Sequence, residues 1–194
     1  MKEDFAFKPD IYGQAFLELL KEKRLNPLGP GSPNIKARSA LNKLTIHKAF
    51  APHEVIDTNM ANACLAAVWL YQDFLQESHN ISQTIHTQTG SYWHGIMHRR
   101  EPDFYNSKYW FHNLGEHPIF EPLRIGAAQL ASNSNAHKST EFISKQSKWN
   151  PIAFIDLCEA CIKGHLPCEM LCRQIQQFEW KLLFDYCYWK AIKR

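Results

Sequence analysis

No stretch of this 194-residue chain comes near the roughly 20 consecutive apolar residues that a membrane-spanning helix needs. No transmembrane segment is therefore expected. The N-terminal MKEDFAFKPD lacks an apolar core, so it does not read as a secretory signal. Charge of one sign is also scarce. The net charge is +3, and the basic runs at 21–24, 36–38 and 190–194 are short and dispersed. A nucleic-acid surface concentrates such charge in a stripe, so no nucleic-acid partner is expected. Alternating apolar and polar residues are missing as well, which argues against strands, and no internal repeat is evident. These absences leave a cytosolic protein whose six cysteines are reduced thiols or ligands rather than disulfides.

What is present points to a packed helical protein. Hydrophobic residues make up 45% and aromatic residues 13% of the chain, a globular composition. The expected fold is all-α: a single-domain helical bundle over residues 1–194 with a long C-terminal helix. Proline and glycine mark the breaks. PLGPGSPN makes 26–34 a Pro/Gly loop, and SNSNAHKST makes 132–140 a surface loop. Helices are expected in DIYGQAFLELLKEKRLN up to Pro27, and in DTNMANACLAAVWLYQDFL, capped by Asp57 or Thr58. The second is nearly all apolar and reads as the central buried helix. IKARSALNKLTIHKAF is either helical or extended. SHNISQTI reads as a short helix capped by Ser78, and TQTG as a turn.

The next two helices flank Pro102. SYWHGIMHRRE should end before the proline, and DFYNSKYWFHNLG should run from an Asp103 cap to Gly115. IFEPLRIGAAQLAS is amphipathic. NPIAFIDLCEACIKG opens with a cap-plus-proline signature, and the segment from Pro167 forms the longest helix.

The chemistry is concentrated in GSYWHGIMHRREPDFYNSKYWFHNLGEHP, residues 90–118. His94 and His98 are four apart and share a helical face. Two imidazoles at this spacing can grip one metal. Gly95, however, stands where the zinc-protease motif needs its glutamate, and the chain has no Glu-x-x-His pair of the di-iron type. No metal or cofactor is assigned on these residues. Glu101 continues the histidine face. Asp73, Glu77 and His79 near the end of the apolar helix can converge on it. Arg99 and Arg100 point about 100° apart, so one of them at most joins that face. Tyr109 and His112 share a face of the following helix, beside Trp110 and Phe111, which read as core.

The run from Ser78, His79 and Gln83 to Phe120 resembles a family of soluble bacterial and fungal proteins with no established activity. Their shared pattern is His-Gly-x-x-His-Arg-Arg-Glu-x-Asp, then Asn-x-x-Tyr-Trp, then Gly-x-His-Pro. Here it falls on His94, Gly95, His98, Arg99, Arg100, Glu101, Asp103, Asn106, Tyr109, Trp110, Gly115, His117 and Pro118. The resemblance implies membership and no particular reaction.

CEACIKGHLPCEMLC places Cys158, Cys161, His165, Cys168 and Cys172 close together. The spacing puts both cysteine pairs inside helices, where free cysteine acts as a small buried hydrophobe. Packing is the expectation here, not a zinc site.

Two functions remain. In the first, a polar pocket lies between the apolar helix and the 91–112 helix pair and binds or transforms a small anionic ligand. His94, His98 and Glu101 are then the candidate catalytic residues. Asp73, His79, Gln83, Arg99, Arg100, Tyr109 and His112 are the candidate ligand-binding residues. In the second, the same side chains form a buried polar network that fixes helix geometry in a structural or interaction protein.

Overall fold

The computed structural model describes residues 6–133 and 138–193. Residues 1–5, 134–137 and 194 lie outside it. They include the start of the N-terminal stretch, the middle of the expected 132–140 loop and the last residue of the basic C-terminus. The described chain is all-α, with α1 (Gln14–Leu20), α2 (Arg38–Asn42), α3 (Ile46–Phe50), α4 (Thr58–Tyr71), α5 (Leu75–Ser82), α6 (Gln88–Arg100), α7 (Phe104–Leu114), α8 (Phe120–Ser132), α9 (Glu141–Lys145), α10 (Pro151–Ile162) and the long C-terminal α11 (Glu169–Ala191). Among the described residues there is no strand, only an isolated antiparallel bridge between Val55 and Ile192.

Side-chain caps set several helix starts. Asp57 accepts from the Met60 amide at 3.0 Å, Asp103 from Asn106 at 3.1 Å and Asn150 from Ala153 at 3.0 Å. Each satisfies an amide that has no partner inside its helix. Three expected boundaries move. α1 stops at Leu20 and does not reach Asn26, and Gly13 separates it from a preceding 3₁₀ turn. Ser78 lies inside α5 and is buried, because the chain turns through Asp73 in the left-handed region (φ 62°) and restarts its helix at Leu75. The TQTG segment opens α6: the Thr87 side chain accepts from the Gly90 amide at 3.1 Å.

The core runs along α11, which packs on α4, α8 and α10. Trp180 stacks on Phe184 at 5.1 Å, and Leu183, Cys187 and Tyr188 are fully buried. Each such large apolar side chain contributes about 1.5–3 kcal/mol by leaving water. α4 is buried as its composition suggests. α6 is buried too, from Tyr92 to Arg100, although it carries two histidines and two arginines. A polar helix can lie inside only if its groups find partners, and those partners define what α6 does.

The segment after α1 is irregular, yet it is held down through its backbone. Tyr71 donates to the Glu22 carbonyl at 3.0 Å. Arg173 Nε donates to Asn26 O at 3.1 Å, Gln176 to Pro27 O at 3.1 Å and Arg100 Nε to Gly29 O at 3.1 Å. Side chains of α4, α6 and α11 thus replace the hydrogen bonds that a longer α1 would have made internally.

Candidate functional site

Three imidazoles meet where α5 crosses α6. His79 comes from α5, and His94 and His98 from adjacent turns of α6. The ring centroids are 4.8 Å apart for His79–His94, 5.2 Å for His79–His98 and 4.7 Å for His94–His98. One ring nitrogen from each residue lies within 4.8 Å of the other two. The Nε2 of His94 is buried and has no hydrogen-bond partner. A buried, unpartnered nitrogen is costly in an ordinary core.

The walls come from α7. Trp110 stacks on His94 at 4.2 Å, 24° from parallel. Gly95 makes this approach possible. A Cβ there would sit 2.8 Å from the Phe111 ring, and the Ser107 hydroxyl donates to the Gly95 carbonyl at 2.8 Å. The glycine of the HGIMH stretch is therefore a packing residue that brings α7 against the histidine face.

On the open side, Glu101 Oε2 lies 3.3 Å from His98 Nδ1, and Asp103 Oδ2 lies 4.0 Å from it. Asp103 is already engaged as the α7 cap, leaving Glu101 as the nearer carboxylate, and the buried His98 Nδ1, like His94 Nε2, has no hydrogen-bond partner. Burial pushes the His94 pKa down to about 4, and the neighbouring His98 and His79 add to the shift. Burial also lowers His98, against the opposing pull of Glu101 and Asp103. His94 is thus neutral at pH 7 and His98 is driven the same way, so their lone pairs are available. Three imidazoles with an adjacent carboxylate form a donor set suited to zinc or a related transition metal.

The remaining candidates sit elsewhere. Asp73 is buried in a knot of its own. Arg24 donates to its Oδ2 at 2.8 Å, Asn26 donates to its Oδ1 at 2.9 Å, and Arg100 is its second cationic partner. The cavity beside Arg100 holds about 20 Å³, room for little more than a water molecule. Arg99 points the other way. It is fully buried, paired with Glu179 of α11 and stacked over Phe154 at 4.9 Å. Tyr92 donates to the same Glu179 at 2.9 Å. Both arginines therefore have protein carboxylates as partners. Gln83, Tyr109 and His112 are exposed, and the ring next to the histidines belongs to Trp110, one residue beyond Tyr109.

The structure thus brings together His79, His94, His98 and Glu101, and keeps Asp73, Arg99 and Arg100 in structural pairs. It adds Trp110, which as a sequence position reads simply as core. The one available signal was its place opposite Gly95, a contact between two helices that helical periodicity within either one cannot reveal. No protein-family model, curated protein or solved structure matches this chain.

Proposed function

We propose that this protein binds a divalent transition metal of the zinc class through His79, His94 and His98, and uses it to hold and activate a small anionic or carbonyl ligand. The observation that carries this reading is the convergence of three imidazoles around the unpartnered Nε2 of His94. Such an ion acts as a Lewis acid toward a ligand oxygen. The protein's part is to fix the donors. α6 sets His94 and His98 on one face, Trp110 stacks on the His94 ring, and the Glu101 carboxylate lies beside His98.

The electrostatics favour an anionic ligand. Arg99 and Arg100 are already neutralised, so neither supplies a free positive charge. A divalent ion held by three neutral imidazoles keeps its full charge, and three protein ligands leave a coordination position open, as catalytic sites require. The six cysteines are free, which suits the reducing cytosol.

The structural reading applies to the other half of the polar residues: the Asp73–Arg24–Arg100 and Arg99–Glu179–Tyr92 groups fix helix positions. Isothermal titration with zinc or cobalt tests the metal assignment. Wild type is expected to bind, and His94→Gln and His98→Gln to lose most of the affinity while keeping a near-native melting temperature in the absence of metal. Wild type that binds neither ion, or variants that bind as tightly as wild type at that site, would overturn it.

A further inference from the structure

A second cluster of metal-ligating side chains lies at the corner between α10 and α11. The Sγ atoms of Cys161 and Cys168 are 3.1 Å apart, those of Cys161 and Cys172 are 3.9 Å apart, and all three lie within 4.8 Å of one another. Cys158, one turn before Cys161, lies outside this group of three sulfurs. All four are buried. Their sequence placement suggested two cysteine pairs packing within helices. In the folded chain Cys168 is instead the residue before α11 begins, and the Gly164 turn folds it back against α10.

Ordinary packing does not account for this arrangement. Non-bonded carbon atoms rest about 3.5–4.0 Å apart, and sulfur is larger, so 3.1 Å is crowded for two neutral thiols. A tetrahedral ion with metal–sulfur bonds of about 2.3 Å sets sulfur–sulfur edges near 3.8 Å, close to the 3.9 Å between Cys161 and Cys172 and wider than the 3.1 Å between Cys161 and Cys168. The surroundings also suit negative charge. Cys168 lies at the N-terminus of a 23-residue helix, whose free amides and dipole favour anions. Arg99 lies within electrostatic reach of Cys158, and its Nε and Nη1 are buried without a partner. Glu179 uses only part of that guanidinium.

We propose that Cys161, Cys168 and Cys172 hold a structural zinc ion that clamps α10 to α11. Each thiol gives its proton to solvent as the ion binds, and no change of oxidation state is involved. This site is separate from the histidine centre, and the two assignments can fail independently.

The test uses the full chain purified under reducing conditions without chelator. Elemental analysis is expected to find zinc that remains in the His94→Gln variant. Titration with p-hydroxymercuribenzoate should release this zinc to a metallochromic indicator as the thiols are consumed. Replacement by cobalt should give an intense sulfur-to-metal charge-transfer band in the near ultraviolet, which imidazole ligands do not produce. A Cys161→Ser, Cys168→Ser variant should lose the band and melt well below wild type. The proposal is overturned by thiols that react without releasing zinc, by cobalt-loaded protein lacking that band, or by peptide mapping that finds a Cys161–Cys168 disulfide in the reduced preparation.

Discussion

The Trp110 ring lies 4.2 Å from that of His94 and 24° from parallel to it, so α7 packs directly on one of the two histidines with an unpartnered ring nitrogen. The contact depends on close approach at Gly95. Trp110→Leu should keep the fold, because Trp110 is only half-buried, but free the His94 ring. The expected result is about 10-fold weaker zinc or cobalt binding by titration, in line with the cost of losing a group that orients a ligand. Unchanged affinity would show that the stack is packing alone.

Gly95→Ala acts on the same contact from the other side. The added methyl would meet the Phe111 ring at 2.8 Å, and α7 would have to move. Overpacking of this kind costs about 1–3 kcal/mol. Chemical denaturation should show that loss, and metal affinity should fall with it, since the shift carries Trp110 away from His94.

Much of this was legible in the sequence, and the exceptions share a cause. Asp57, Asp103 and Asn150 announce helix starts because a cap is a local device. The His94–His98 face follows from helical spacing, while Glu101 joins it as the residue that caps α6 before Pro102. His79 was expected to converge on that face, and it does so because the chain breaks at Asp73 and α5 folds back. The roles of Arg99 and Arg100 were hidden in the sequence. Glu179 is 80 residues from Arg99, and Arg24 and Asn26 are 49 and 47 residues from Asp73. A charged residue next to a histidine looks the same in sequence whether its partner is a ligand or a distant helix. The cysteines repeat the lesson: their convergence depends on the turn at Gly164.

Acid should unfold the protein earlier than its carboxylates alone would require. His94 and His117 both have pKa values pushed from 6.5 down to about 4, and burial is the leading cause in each. His117 is held by Thr89 at 3.2 Å and packs on Tyr92. In the unfolded chain both titrate near 6.5, so between about 6.5 and 4 the unfolded state binds more protons. Stability then falls as pH falls through that window. The melting temperature should drop by several degrees from pH 7 to pH 5. His117→Gln should flatten part of that slope, and a pH-independent melting temperature would contradict the assignment. Metal binding should weaken as pH falls toward about 4, where protons begin to compete for the His94 lone pair.

The Arg99–Glu179 pair offers the clearest separation of scaffold from site. Both side chains are fully buried, and removing one partner leaves an uncompensated charge, at a cost of about 3–5 kcal/mol. Glu179→Leu should therefore be severely destabilising. Arg99→Met combined with Glu179→Leu removes both charges and keeps apolar volume near Phe154, and it should recover much of that loss. The recovery will be incomplete, because Tyr92 loses its acceptor in both variants. The histidine centre should be indifferent to the swap, because neither residue belongs to it. In denaturant melts the double variant should be more stable than Glu179→Leu alone, and cobalt titration should give it wild-type affinity at the imidazole site. If affinity falls instead in a well-folded double variant, Arg99 belongs to the site after all, and the division between the two polar groups of α6 is wrong.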